Sequence, residues 1–172
     1  MTKALFFDID GTLVSFETHA IPASTIEALT IAHEKGIKIF IATGRPKAII
    51  NNLADIQDRG LIDGYITMNG AYCFVGDEVI YKSAIPAGEV RALAQVCEQK
   101  GYPCIFVGEH TISVCQPNKL VHDIFYDFLH VDEIPVKTFE EAVQEEIFQM
   151  TPFVTVEEET EIQPQIPNCE SG

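Results

Sequence analysis

The chain has 172 residues, enough for one ordinary domain or two small ones, and its 47% hydrophobic and 22% charged residues are typical of a folded globular protein. Its 26 acidic residues against 11 basic ones give a formal net charge of −15, which argues against nucleic acid or an anionic membrane as a partner, because both require basic patches. No apolar run of about 18 residues is present, so no membrane span is predicted.

The first 70 residues alternate between apolar runs that predict strands and patterns that predict helices. Strands are predicted at residues 4–9, 37–44 and 65–70, and helices at residues 24–36 and 46–60. A Ser24-x-x-Glu27 capping box opens the first helix, and Pro46 suits the first position of the second. The unbroken apolar run at residues 4–9 predicts a strand covered on both faces, and the alternation predicts a parallel α/β sheet.

Near residue 71 the pattern changes to shorter, mixed elements, which predict a second, α+β domain from about residue 82. A hairpin is predicted over residues 71–83, with Gly76 and Asp77 in its turn. The later predictions are a helix at residues 86–100, strands at 104–107 and 111–115, a helix that buries Leu120, Val121, Ile124, Phe125, Phe128 and Leu129, a helix capped by Thr138-x-x-Glu141, a strand at 146–156, and a helix that begins at Thr155-x-x-Glu158 and ends before Pro164 and Pro167.

The five cysteines include no C-x-x-C pair, and the five histidines show no metal-ligand spacing. We therefore predict reduced thiols that pack as small core residues, as in a cytoplasmic protein. These thiols belong to Cys73, Cys97, Cys104, Cys115 and Cys169.

Two aspartates follow the first predicted strand, and a Thr-Gly-Arg turn follows the second. Strand side chains alternate between faces, so Asp8 and Asp10 are expected on the same side, where their charges repel. The carboxyl ends of parallel strands form the usual ligand edge of a sheet, and Gly11 and Gly44 let backbone N–H groups approach an anion there. Mg²⁺ binding beside a phosphate would offset the repulsion between the carboxylates.

The spacing around the two aspartates does not match other common ion- or nucleotide-binding motifs. An EF-hand loop requires glycine at its sixth position, whereas glycine is fourth if Asp8 is first. No Walker A motif is present, and no G-x-G-x-x-G follows a strand. A strand-end turn in which Asp8 and Asp10 only cap backbone groups remains open as an alternative.

The strings "DIDGTLVS" and "IATGRP" closely resemble motifs I and II of the haloacid dehalogenase superfamily. "MNGAY" and the α+β segment after it are similar to the Cof-type sugar phosphatases, whose type IIB cap follows the third core strand. This resemblance covers the whole chain. It implies a partial Rossmann-like parallel-sheet core at residues 1–82 and an incomplete α+β cap domain at residues 83–172.

The resemblance also implies roles for the residues of the two motifs. Asp8 would be the nucleophile that forms an aspartyl-phosphate, and Asp10 would be the general acid and base. Both would ligate Mg²⁺, Asp10 through its backbone carbonyl. The hydroxyl of Thr43 and the amides of Gly44 and Gly11 would bind the phosphoryl group.

Two further residues have weaker assignments to the substrate. Arg45 would contact the phosphate or the cap, with a structural arginine as the alternative. Asn69 would line the mouth of the cleft, although Asn-Gly is also a common turn pair and the turn is the favoured interpretation.

Three functions follow from the resemblance. The first is a Mg²⁺-dependent phosphatase for small phosphorylated metabolites, with sugar phosphates as the main expectation. The second is a phosphomutase, which shares the D-x-D-G-T start. The third is a catalytically incompetent remnant that acts only through binding, because the family's bracing lysine and glycine-aspartate string are not found and the chain is expected to be an N-terminal portion.

The family's sheet places further strands beside the first strand. The run at residues 4–9 is therefore expected to have one flank without a partner and to associate there with another copy or with a C-terminal segment.

Overall fold

The structure is a computed structural model and describes residues 3–129, 131 and 133–162. Two compact units divide the chain between Ser83 and Ala84. We keep the assignment of residues 1–82 to a core and of residues 83–172 to a cap as a proposal.

The first unit is built on a five-stranded sheet in the order β1-β2-β3-β4-β5. β1, β2 and β3 pair in parallel, and β4 and β5 continue the sheet as an antiparallel hairpin. The α/β class, the parallel start and the hairpin turn at Gly76 and Asp77 are confirmed. The strands are β1 (Ala4–Phe7), β2 (Lys38–Ala42), β3 (Gly64–Thr67), β4 (Tyr72–Val75) and β5 (Glu78–Lys82).

Helix α1 (Ala23–Glu34) begins before the residue that was predicted to cap it. The carbonyl of Pro22 accepts the first helical hydrogen bonds, from the N–H groups of Thr25 and Ile26 at 2.9 and 3.1 Å. Ser24 therefore lies inside the helix, and the N-terminus of the helix has no side-chain cap. The capping-box prediction is wrong.

The predicted helix at residues 46–60 is also wrong. The segment forms a short 3₁₀ helix (Lys47–Ile49), an extended stretch at Ile50, and helix α2 (Ala54–Gln57). The guanidinium of Arg45 donates to the carbonyl of Ile49, four residues later, at 3.2 Å, and the extended backbone of Ile50 ends the helical turn. The apolar residues Leu53 and Ile56 are nevertheless fully buried, as the apolar stripe predicts.

The core of the first unit lies beneath β2 and the loop after β1, and not along β1 itself. Leu5 and Phe6 are 40% and 57% exposed, so the prediction of a strand covered on both faces is wrong. The reason is that, among the strands that the structure describes, β1 pairs with β2 alone and forms the edge of its sheet, so that one flank has no partner there, as predicted. The buried apolar residues are Ile9, Leu13, Val14, Ile21, Leu29, Ile39, Ile41, Leu53, Ile56 and Leu61.

The second unit packs helix α3 and short helices on a three-stranded antiparallel sheet in the order β7-β6-β8. The capping boxes at Thr138 and Thr155 are confirmed, because each threonine exchanges hydrogen bonds with the glutamate three residues later. The elements are α3 (Ala87–Lys100), β6 (Cys104–Gly108), β7 (Ile112–Cys115), α4 (Lys119–His122), α5 (Phe139–Ala142), β8 (Ile147–Pro152) and α6 (Val156–Ile162).

Helix α4 continues into a π-helical segment (Asp123–Phe128), which narrows its buried face. Val121 and Phe125 are buried, but Leu120 and Phe128 are about half exposed, so their predicted burial is wrong. The wider π turn rotates Phe128 away from the register that an α-helix would keep, whereas Leu120 lies before this segment, on the exposed side of α4.

Four of the cysteines lie in the described residues and are free thiols, three of them buried in the second unit. Burial raises the pKa of Cys115 to about 11. The prediction of free thiols in the core is confirmed for Cys97, Cys104 and Cys115, whereas Cys73 is only partly buried, and the compartment stays a prediction. Cys169, Pro164 and Pro167 lie outside the described residues, within which no helix is long and apolar enough to cross a bilayer.

Asp63 links β2 to the start of β3 and gives the first unit a pH-dependent contact. Its carboxylate accepts from Lys38 Nζ at 2.6 Å and from the Ile39 N–H at 2.9 Å. Partial burial favours the neutral form, but the hydrogen bonds from Lys38 and Ile39 outweigh it and lower the pKa of Asp63.

We expect Asp63→Asn to reduce the free energy of unfolding at pH 7 by about 1–3 kcal/mol. Because the pKa is depressed in the folded state, the stabilisation is present above the unfolded-state pKa and is lost as pH falls through the folded-state value. Denaturant unfolding at pH 7 and pH 3 checks this, with the exposed Asp58→Asn as the control. An equal difference at both pH values would contradict the prediction.

Candidate functional site

The loop after β1 carries Asp8 and Asp10 and is closed by its own backbone. The Val14 N–H donates to the Ile9 carbonyl at 2.9 Å, and the Gly11 N–H donates to the Val14 carbonyl at 2.9 Å. Gly11 has φ +76°, and a Cβ there would lie 2.5 Å from Phe16 Cε2. The loop conformation and the ring of Phe16 together require glycine at this position.

The two aspartates differ in their surroundings. β1 ends at Phe7, so both lie in the loop, and the alternation of a strand does not place them. The Asp8 carboxylate is exposed and forms no hydrogen bond or ion pair with the residues that the structure describes. Asp10 accepts two hydrogen bonds from Arg45, at 2.7 Å from Nη2 and 2.8 Å from Nε.

All three nitrogens of the Arg45 guanidinium donate hydrogen bonds. Its third nitrogen, Nη1, donates to the Ile49 carbonyl at 3.2 Å and to Asn51 Oδ1 at 3.4 Å, and its side chain is only 9% exposed. Such a fork holds a carboxylate in one orientation. Arg45 therefore contacts Asp10, and sequence reasoning missed Asn51, for which the sequence carries no motif.

The Thr43-Gly44-Arg45 turn follows β2 at the same end of the sheet. Thr43 is buried, its N–H donates to the Ile66 carbonyl at 2.9 Å, and its Oγ1 accepts from the Arg45 N–H at 3.1 Å. Within the described part of the chain, the Gly44 N–H donates to no acceptor. The turn thus presents one unused backbone donor beside a hydroxyl.

Asn69 lies against this turn. Its N–H donates to the Thr43 carbonyl at 3.3 Å, and the neighbouring Met68 N–H donates to the Arg45 carbonyl at 3.4 Å. The turn favoured by Asn-Gly is confirmed at Met68–Gly70.

The structure thus brings together most of the predicted site. Hydrogen bonds join Asp10, Arg45, Thr43 and Asn69, and Asp8 lies in the loop of Asp10. Gly11 is in the same loop, but its N–H is already engaged with Val14. An exposed carboxylate can attack an electrophilic anion such as a phosphate ester, and a hydroxyl and an unused N–H at the same end of the parallel strands can hold that anion.

One other group of possible metal ligands occurs among the described residues. His122, Asp123 and Asp127 place ligand atoms within 4.8 Å of one another at the surface. Asp123 is paired with Lys119 there, which competes with a cation for the carboxylate.

In comparison with known proteins, residues 5–171 match the model of the family described as haloacid dehalogenase-like hydrolase. A solved structure described as the HAD subclass IIB sugar phosphatase BT4131 is 75% identical, with a TM-score of 0.92 over 98% of this chain and 65% of that chain. A solved phosphatase of this superfamily from Bacteroides thetaiotaomicron, BT1666, is 34% identical, with a TM-score of 0.78 over 96% of this chain and 61% of that chain.

Among curated proteins, "Putative phosphatase YkrA" of Bacillus subtilis (strain 168) is 29% identical over 163 residues. The match covers 92% of this chain and 60% of that protein. The chain therefore spans less than two thirds of the length of each of these relatives.

Proposed function

Because the chain belongs to the haloacid dehalogenase-like hydrolase family, we propose that it carries the nucleophile and the phosphoryl-binding turn of a Mg²⁺-dependent phosphatase. The substrates are small phosphorylated metabolites, sugar phosphates above all. The observation that carries the proposal is the contrast between two aspartates that one residue separates: Asp8 is exposed and has no hydrogen-bond or ion-pair partner among the described residues, and Asp10 is held by Arg45.

The two aspartates divide the chemistry between them. Asp8 attacks phosphorus and becomes an aspartyl-phosphate as the phosphorus–oxygen bond to the leaving group breaks. Asp10 donates a proton to that leaving oxygen and later takes a proton from the attacking water. Each Asp10 oxygen accepts one hydrogen bond from Arg45 and keeps a second lone pair, at which Asp10 can carry the proton that it transfers.

The turn after β2 holds the phosphoryl group. Thr43 Oγ1 accepts from the Arg45 N–H, which leaves the hydroxyl proton of Thr43 to donate to a phosphoryl oxygen. The Gly44 N–H is the second donor. Donors that are already oriented stabilise the charge that develops on the phosphoryl oxygens in the transition state.

The site offers oxygen atoms of the kind that Mg²⁺ takes as ligands. Mg²⁺ takes oxygen ligands and keeps several waters, and no described residue donates to the Asp8 carboxylate or to the backbone carbonyl of Asp10. These two oxygens would hold the ion, which when bound would neutralise charge on the incoming phosphate.

Phosphate release by the full-length protein tests the proposal. Purified protein is incubated with a panel of sugar phosphates and with other small phosphate esters, with and without Mg²⁺, and free phosphate is measured. Release that requires Mg²⁺ and favours sugar phosphates supports it. Isomerised sugar phosphate without free phosphate would indicate the phosphomutase, and no turnover of any ester would favour the binding-only alternative.

Arg45→Lys is expected to lower kcat by about 10- to 100-fold and to change KM little. Lysine keeps the charge but loses the fork that holds both Asp10 oxygens and the Ile49 carbonyl, so Asp10 is no longer held in one orientation. Steady-state kinetics of the full-length protein measure the effect. Arg59→Lys makes the same exchange at an exposed position and should behave as wild type; equal kcat values for the two variants would contradict the role of Arg45.

A further inference from the structure

The corner between β3 and β4, Met68–Gly70, has an unusual backbone. Met68, Asn69 and Gly70 have φ values of +52°, +53° and +94°. Left-handed backbone is unfavourable for residues other than glycine, although asparagine tolerates it better than most. Two such residues in succession persist only where their surroundings hold them.

The Thr43-Gly44-Arg45 turn is one of the elements that hold this corner. The hydrogen bonds from Met68 to the Arg45 carbonyl and from Asn69 to the Thr43 carbonyl join the two turns that follow β2 and β3, beyond Ala42 and Thr67, where the strands end. The Met68 side chain is 3% exposed and anchors the corner in the core. The backbone of the corner thus extends along the turn that presents the Gly44 N–H.

The Asn69 side chain occupies the space that glycine leaves at position 44. A Cβ on Gly44 would lie 2.9 Å from Asn69 Oδ1 and 3.6 Å from Asn69 Cγ. Gly44 is not among the glycines with positive φ, so its backbone conformation is open to other residues. Alanine at position 44 would therefore displace the carboxamide of Asn69, which is the end of a flexible side chain on an exposed residue.

We infer that Asn69 is a positioning residue for the phosphoryl-binding turn. Its backbone N–H fixes the Thr43 carbonyl and its carboxamide packs on Gly44, so that the Gly44 N–H keeps one direction and stays open to a phosphoryl oxygen. The identity of the ligand rests on the proposed function. The packing of Asn69 against Gly44 does not.

Position 69 requires a residue that tolerates a left-handed backbone and a side chain that packs on Gly44, and asparagine provides both. Alanine at position 69 would lose the carboxamide and be strained by the left-handed backbone. Glycine would keep the backbone but leave the space over Gly44 empty. Aspartate would keep the shape and add a negative charge beside the donor for an anion.

A double-mutant cycle tests the packing without any need for activity. We expect Gly44→Ala to lower the unfolding midpoint, and Asn69→Gly introduced into that variant to recover most of the loss, because it removes Oδ1 and tolerates the backbone. Additive effects of the two substitutions would overturn the inference.

Binding of inorganic phosphate in the presence of Mg²⁺ tests the positioning. The ¹⁵N–¹H signal of Gly44 is followed in the full-length protein, where we expect phosphate to shift it. Asn69→Gly should weaken phosphate binding by about tenfold, and Asn69→Asp should weaken it while keeping the wild-type unfolding midpoint.

The outcomes separate the two claims. Wild-type phosphate affinity in both Asn69 variants would overturn the positioning role while leaving the proposed function intact. No shift of Gly44 in the wild type would overturn the phosphoryl-binding role of the turn, and with it the ligand part of the inference, whatever the cycle shows.

Discussion

Replacing Asp8 with asparagine should reduce phosphate release by the full-length protein on the order of 10⁴-fold or more. A carboxamide cannot form the aspartyl-phosphate, and the carboxylate of Asp10, two residues away, is engaged by Arg45. Because the Asp8 side chain is exposed and contacts no described partner, the substitution should leave the unfolding midpoint unchanged. Phosphate-release kinetics and thermal unfolding measure the two effects.

Asp10→Asn is the informative comparison. That substitution removes a charge from an ion pair in which Arg45 is 9% exposed, so it should lower both activity and the unfolding midpoint. Asp58→Asn, at an exposed position, should change neither. Asp8→Asn activity within about tenfold of wild type would show that Asp8 is not the nucleophile.

The features that sequence predicted well depend on neighbouring residues. The Gly76-Asp77 hairpin turn and the Thr138 capping box are formed by residues within a few positions of each other, and both are found. The D-x-D and Thr-Gly-Arg strings were placed at strand ends from the same kind of local pattern. Their meeting follows from the parallel pairing of β1 and β2.

The features that sequence reasoning missed depend on distant residues. The fork of Arg45 on Asp10 joins residues 35 positions apart, and Arg45 also donates to the Ile49 carbonyl within the segment where the apolar stripe predicts a regular helix. Likewise, Ser24 has a capping-box neighbour in sequence, but Pro22 already supplies the helix start. In both cases a tertiary or flanking contact outweighs a valid local signal.

The prediction that β1 is buried on both faces is wrong for a related reason. An apolar run indicates that a strand is suited to burial, but coverage depends on which other elements pack beside it. In the described part of the chain β1 has β2 as its one neighbour, so apolar residues that suit an interior strand lie at an edge.

The two edges of this sheet differ in how they discourage pairing. β5 carries a bulge, because Ile80 has no partner between Val79 and Tyr81, and it begins and ends with the charged residues Glu78 and Lys82. Bulges and charges of this kind protect natural edge strands. β1 is regular along its whole length, with four consecutive residues in register with β2 and no charge or proline among them.

We therefore predict that the 172-residue chain associates with itself through β1. Phe6→Lys and, on the opposite face of the strand, Leu5→Lys should each weaken association by about tenfold or more, because a charged side chain would lie in the new contact. Ile80→Lys is the matched control, since Ile80 is 64% exposed on the other edge, compared with 57% for Phe6. Sedimentation velocity over a concentration series measures the association, and thermal unfolding checks that each variant is folded. A chain that stays monomeric throughout the series, or a loss of association in Ile80→Lys equal to that in Phe6→Lys, would contradict pairing at β1.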